Sequence, residues 1–217
     1  AFVAAMRAYR KALKCFGHLD ASATLNVNDD VENLILVATA LSNISAIYWK
    51  WENLNAAVLY LEEALCFQEE ISDRLHPGAN ESIEMAENLL NLGQIQTIRG
   101  NYSAAMAALN RAQSIFKEEW GPFHIQMAHV KSAMGKVFSF LGDFDRVLEC
   151  HMDALRIKNA ILHPQHPSVL CSMMHVADAH HRKGDLRAAE LAYWEVADVQ
   201  KMALLKAIDL KYKQAVS

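Results

Sequence analysis

The sequence predicts an all-helical solenoid assembled from antiparallel helical hairpins, and three observations carry that expectation. Gly100-Asn101-Tyr102, Gly142-Asp143-Phe144 and Gly184-Asp185-Leu186 recur at a constant interval of 42 residues. Small side chains keep the same register, with Gly93, Gly135 and Ala177 before each turn and Ala105, Val147 and Ala189 after it. Between the turns, apolar residues follow helical spacing. Self-similarity at such a period marks supersecondary units that bury their faces only by stacking on neighbours.

The elements follow in order. Ala5, Tyr9 and Ala12 repeat the pattern of a second helix alone, so residues 2–16 read as half a hairpin. The polar loop Gly17 to Asp30 completes a leading segment, 1–30. Four hairpins are expected over 31–203. The first pairs Val31–Trp51 with a helix from Leu54 to about Arg74. Its Ala57, Leu61 and Ala64 hold the register of Ala105, Leu109 and Ala112 at an offset of 48, which places six extra residues in the Ser72 to Glu81 loop. Lengthening a loop costs little, because closure entropy grows only logarithmically.

In the second hairpin Met85, Leu89, Leu92, Ile95 and Ile98 keep the i, i+3, i+4 rhythm of an amphipathic helix. Gly100 ends it, since glycine accepts the left-handed conformation that such a stop requires. The return helix, Tyr102 to about Glu119, carries Ala104, Ala105, Ala107, Ala108 and Ala112, which leave little side chain between the two backbones. The third hairpin pairs Phe123–Leu141 with Phe144 to about Ile161. The fourth pairs Pro167–Lys183 with Leu186 to about Met202. His- and Pro-rich loops join the units, and proline there both stops one helix and starts the next. Residues 204–217 continue helical spacing at Leu204, Leu205, Ile208 and Tyr212 among Lys201, Lys206, Asp209, Lys211 and Lys213. They read as a capping extension of the last helix.

Composition narrows the function. A net charge of −4 and a pI near 6.2 lack the electropositive footprint of a nucleic-acid binder. The most apolar run, Leu34 to Leu41, falls short of the roughly 20 residues of a membrane span, so no span is expected. The N-terminal stretch has Arg7, Arg10, Lys11 and Lys14 without a long apolar segment after them, and is not expected to be a secretory signal. Cys15, Cys66, Cys150 and Cys171 show no CxxC pairing and sit on expected helices. They read as reduced core thiols, which places the chain inside the cell, in the cytoplasm or an organelle.

The repeat resembles the tetratricopeptide repeat, in the 42-residue variety of kinesin light chains. Ser45, Gly93, Gly135 and Ala177 match the family's small residue late in the first helix. Tyr48 and Phe138 match the aromatic three positions on, where Gln96 and His180 depart from it. Gly121-Pro122-Phe123-His124 and His166-Pro167 are similar to the light-chain linker. This resemblance, over about residues 31–203, implies a right-handed superhelix whose concave groove, lined by the first helices, holds extended or helical partner segments. In light chains an Asn of the first helix grips the peptide backbone. Asn43 and Asn91 match it, while Ala133 and His175 stand there in later repeats. By the same register Trp49, Lys136, His181 and Arg182 face the groove. The basic clamp that other members close on a chaperone carboxylate is not matched.

No residue pattern carries catalysis. There is no Gly-rich phosphate loop, no GxSxG elbow and no paired-carboxylate motif. His175, Asp178, His180 and His181 share one helix, but metal-binding pairs on a helix need i, i+3 or i+4 spacing, and His175 to His180 is i, i+5. Neither an enzyme nor a cofactor is expected. The expected function is a protein-binding scaffold that holds a partner segment at Asn43, Trp49, Asn91, Lys136, His181 and Arg182. A fixed accessory subunit of a large assembly is the alternative within that class. A ligand-regulated or metal-binding helical module around His175, Asp178 and His181 is the alternative outside it.

Overall fold

The structure, a computed structural model, describes residues 27–75 and 82–216. They form eight α-helices and no strand: α1 (Val27–Lys50), α2 (Leu54–Leu75), α3 (Ile83–Ile98), α4 (Tyr102–Trp120), α5 (Ile125–Leu141), α6 (Phe144–Ile161), α7 (Pro167–Lys183) and α8 (Leu186–Val216). Consecutive helices pair as antiparallel hairpins, giving the all-α, tetratricopeptide-type solenoid architecture. The chain divides into two compact units, Ala1–Glu119 and Trp120–Ser217. The expected half-hairpin at 2–16 and residues 76–81 of the Ser72 to Glu81 loop lie outside the described residues. α1 already begins at Val27, so residues 27–30 are helix where a loop was expected.

Each hairpin crosses where its first helix has almost no side chain. Ser45 is buried, and its hydroxyl donates to the Ala57 carbonyl at 2.8 Å. A methyl group on Gly93 would lie 2.6 Å from Leu109 Cγ, and one on Gly135 would lie 2.8 Å from His151 Cε1. The 42-residue register of small residues is therefore a register of backbone approach. Ala57, Leu61, Ala105, Leu109, Ala112 and Ala154 are fully or almost fully buried around these crossings.

The turns repeat as closely. Asn101, Asp143 and Asp185 donate their amides to the carbonyls of Gln96, Phe138 and His180, and Asn53 does the same to Tyr48. Gly100, Gly142 and Gly184 take positive φ at the first three of these, but at the last Glu52 adopts φ 60°. Side-chain caps start the helices. Ser82 accepts from the Met85 amide, and the Nδ1 atoms of His124 and His166 accept from Gln126 and Ser168. Because His124 is the cap, α5 starts at Ile125 rather than Phe123, which is left exposed.

Polar pairs lock neighbouring hairpins within each unit. Asn88 of α3 donates to Gln68 of α2 at 3.0 Å and to Ser42 of α1 at 2.8 Å. Lys158 of α6 donates to Ser172 of α7 at 2.8 Å. These are one register position seen twice, since the six-residue insertion separates Gln68 and Asn88 further in sequence.

Three expectations are corrected. Of the described cysteines only Cys150 is buried, and Cys66 and Cys171 are exposed. The repeat register puts Trp194 in a second helix, where a large aromatic is expected to pack between neighbours; it is exposed instead, as are Leu186 and Leu191. Finally, Val31–Lys50 is long and apolar enough to cross a membrane by length and composition, with a mean hydropathy of 1.4. Here it is a hairpin helix, with Ala38, Leu41, Ile44 and Ile47 buried.

Candidate partner-binding site

The expected site residues fall into two groups, one in each unit. In the first, Trp49 packs its ring beside the buried cluster of Ala57, Val58, Leu61 and Ile95. Its remaining edge lines an open pocket of about 410 Å³ together with Ser42, Ala46, Lys50 and Asn91. Trp49 thus serves the core and the surface at once. Asn91 is half-buried in that wall. Asn43 is exposed and is not among the lining residues, although it lies one turn before Ala46. Ser42 is held from behind by Asn88, a buried amide that the sequence reading did not single out.

In the second unit Lys136 of α5 and His181 and Arg182 of α7 line one pocket of about 300 Å³ with Ser139, His151, His175 and Asp178. Lys136, His181 and Arg182 are exposed. Arg182 is fixed in place: it donates to the Ser139 hydroxyl and, at 3.4 Å, to the Ser139 carbonyl, and its guanidinium lies 5.0 Å from the Phe144 ring centre. Asp178 accepts a 2.5 Å hydrogen bond from the Tyr193 hydroxyl.

His151 is the buried member, only 4% exposed, and its ring lies 4.9 Å from that of His175. The Nδ1 atoms of both rings are buried without a hydrogen-bond partner. Burial, then the neighbouring His175 and Lys136, pushes the His151 imidazole down to about 4. His175 is lowered mainly by burial and then by Lys136, with Asp178 opposing. His175 Nε2 also stands 3.8 Å from Cys171 Sγ. His151 could have been found in the sequence, because it falls on the register of Leu109 opposite a small residue.

No group of three His, Cys, Asp or Glu side chains among the described residues is arranged to hold a metal ion. His180 is partly buried at the aromatic position, 3.9 Å from the Asp185 carboxylate. What the two pockets offer chemically is an aromatic ring with an amide in one unit, and two cations, one of them fixed, on the same wall as an imidazole pair in the other.

Two tetratricopeptide-repeat models match the sequence, one over residues 37–78 and the other over residues 84–160. No curated protein matches it significantly. Among solved structures, BtubC (BKLC) from P. vanneervenii is 20% identical with a TM-score of 0.75, covering 93% of this chain and 74% of that one. A kinesin light chain of nearly identical TPR-like repeats from Podosopora anserina is 15% identical with a TM-score of 0.65, covering 92% and 95%. The apo form of RapI is 14% identical with a TM-score of 0.72, covering 98% and 69%. At such identities the likeness is one of fold.

Proposed function

We propose, for a chain that belongs to the tetratricopeptide-repeat family, that it holds a partner protein segment on the faces of its first helices. Proteins of this family are in general interaction scaffolds. The observation that carries the finer reading is the pair of open pockets. Five of the six residues expected at the site line them, Trp49 and Asn91 in one and Lys136, His181 and Arg182 in the other. Preformed helices spare part of the ordering cost of association. Trp49 supplies an aromatic anchor, Asn91 both donates to and accepts from a peptide backbone, and Lys136 with Arg182 selects for negative charge.

The test captures a partner from native extract with the whole chain at pH 8. It then compares Trp49→Ala, Asn91→Ala and Arg182→Ala with Arg111→Ala, whose side chain pairs with Glu69 away from both pockets. Truncation at the centre of an interface costs ~2 kcal/mol or more, about 30-fold in affinity, and peripheral truncation costs little. Loss of binding in the Arg111 variant alone would sink this reading.

The fixed-subunit reading is favoured by a separate observation. Trp194, Met202, Leu204, Leu205 and Ile208 are more than half exposed on α8, and an apolar surface of that kind marks interaction sites. A subunit held there would survive substitution at both pockets and be released by Leu205→Glu with Ile208→Glu.

A further inference from the structure

The pocket of the second unit joins two kinds of group that rarely share a wall. Lys136 and Arg182 are exposed cations. Arg182 is held by Ser139 and Phe144 rather than by a carboxylate, and among the described residues no carboxylate forms an ion pair with Lys136. The one acid of the wall, Asp178, is engaged by Tyr193 of α8. The same wall holds buried His151 and half-buried His175, two rings in contact whose Nδ1 atoms are buried without a partner.

The groups facing this pair come from every packed element. Lys136 comes from α5, Lys158 from α6 itself, and Asp178 and Cys171 from α7. Of these only Asp178 favours the charged imidazole, while burial and the two lysines oppose it. An anion placed between Lys136 and Arg182 leaves the effect of burial in place but shifts the balance towards the charged ring, because it offsets the lysine field felt by both rings and adds an attraction of its own. The shift has a thermodynamic corollary. Whatever raises proton affinity when it binds must itself bind more tightly when protons are supplied.

We propose that this pocket takes up a carboxylate of the partner segment together with a proton, the carboxylate between Lys136 and Arg182 and the proton on the His151–His175 pair. The reading rests on the groove function above and adds to it the partner's chemistry and a dependence on pH. Affinity for the acidic segment rises as pH falls, until the carboxylate itself is protonated.

His151→Leu is the natural variant for dissecting it. Leu109 already occupies the equivalent position against Gly93, so leucine against Gly135 keeps the crossing and removes the titrating ring.

The experiment follows the imidazole carbon-bound protons of the whole chain by NMR from pH 8 to 3.5, a range that spans the His151 midpoint. Probes are added at high concentration. N-acetylglutamate α-amide presents an acidic side chain, N-acetylglutamine presents a chain-terminal carboxylate, and N-acetylglutamine amide is the neutral control. The expected result is an upward shift of roughly half a pH unit or more in the His151 and His175 midpoints with at least one carboxylate. The probe that produces it identifies the carboxylate's source. Lys136→Met should raise the midpoints without probe and abolish the further rise, and His151→Leu should cut the proton uptake on binding.

No shift with either carboxylate, an equal shift with the neutral amide, or an undiminished shift in Lys136→Met with Arg182→Met overturns the proposal. The two readings fail separately. Capture at pH 8 that depends on Asn91 and Arg182 without any ring response leaves the groove function standing and removes the proton coupling. A ring response with capture that ignores those residues does the reverse.

Discussion

The crossing at Gly93 and the crossing at Gly135 share one backbone geometry and differ in what fills it. Leu109 sits against the first glycine and His151 against the second, each nearer than a methyl group at that glycine would allow. Three positions on, Gln96 stands where its counterpart is Phe138. The amide is fastened by Asn101 at 2.9 Å and Arg99 at 3.3 Å, and the phenyl ring carries the Arg146 guanidinium at 4.3 Å. The repeat therefore specifies distance of approach, and leaves the chemistry of the contact free. The first unit uses that freedom for an inert core, the second for a core that can titrate.

Removing the filling should have the largest effect. Leu109→Ala is expected to cost about 2–5 kcal/mol, whereas His151→Leu, which carries the first crossing into the second, should cost under ~1.5 kcal/mol at pH 8. Chemical denaturation of both variants checks this. Similar losses in the two would mean that the crossings are not equivalent.

The next effect separates the two fillings by pH. His151 titrates near 4 when folded and at an ordinary imidazole value when unfolded. The unfolded chain therefore takes the proton first. Stability is complete above about pH 6.5 and falls as pH drops towards 4, by roughly 3 kcal/mol at most. His151→Leu should flatten that slope, and a slope unchanged by it would assign the acid sensitivity elsewhere.

Smaller effects sharpen the glycine comparison. Gly93→Ala and Gly135→Ala should each cost about 1–3 kcal/mol through overpacking, measured as a fall in denaturation midpoint. Gly142 has open space around the missing side chain but φ 76°, so Gly142→Ala should lose only about 1–2 kcal/mol, as conformational strain. Glu52 holds the same left-handed place in the first hairpin. Glu52→Gly should therefore stabilise the chain by about 1 kcal/mol, and a loss would mean that Glu52 is fixed there by contacts of its own.

The array was legible because glycine and proline act locally. Gly142 and Gly184 fix the turns, and Pro167 fixes the start of α7, whose bounds match the expectation to the residue. Glu52 shows the limit, since its left-handed turn is imposed by the helices on either side and leaves no mark in residue type. The pockets were half legible. Register placed Lys136, His181 and Arg182 on one face, but it could not show that Ser139 would hold Arg182 or that His151 would meet His175. Those contacts join residues from different helices, and the residues at the equivalent positions of the other repeats are of different types. A polar residue at both members of a register pair, as at Gln68 with Asn88 and Lys158 with Ser172, is the signal that would have found the interhelical bonds.

The caps carry one more consequence. α3 starts on a serine hydroxyl, whereas α5 and α7 start on imidazole nitrogens that accept from Gln126 and Ser168. Each of these caps is local to its own helix, since the accepting ring belongs to the residue just before it. His124→Ala or His166→Ala would take the acceptor away from one leading turn alone. Amide exchange would then quicken at Gln126 or at Ser168 while α3 stayed closed, so the array can be opened one hairpin start at a time.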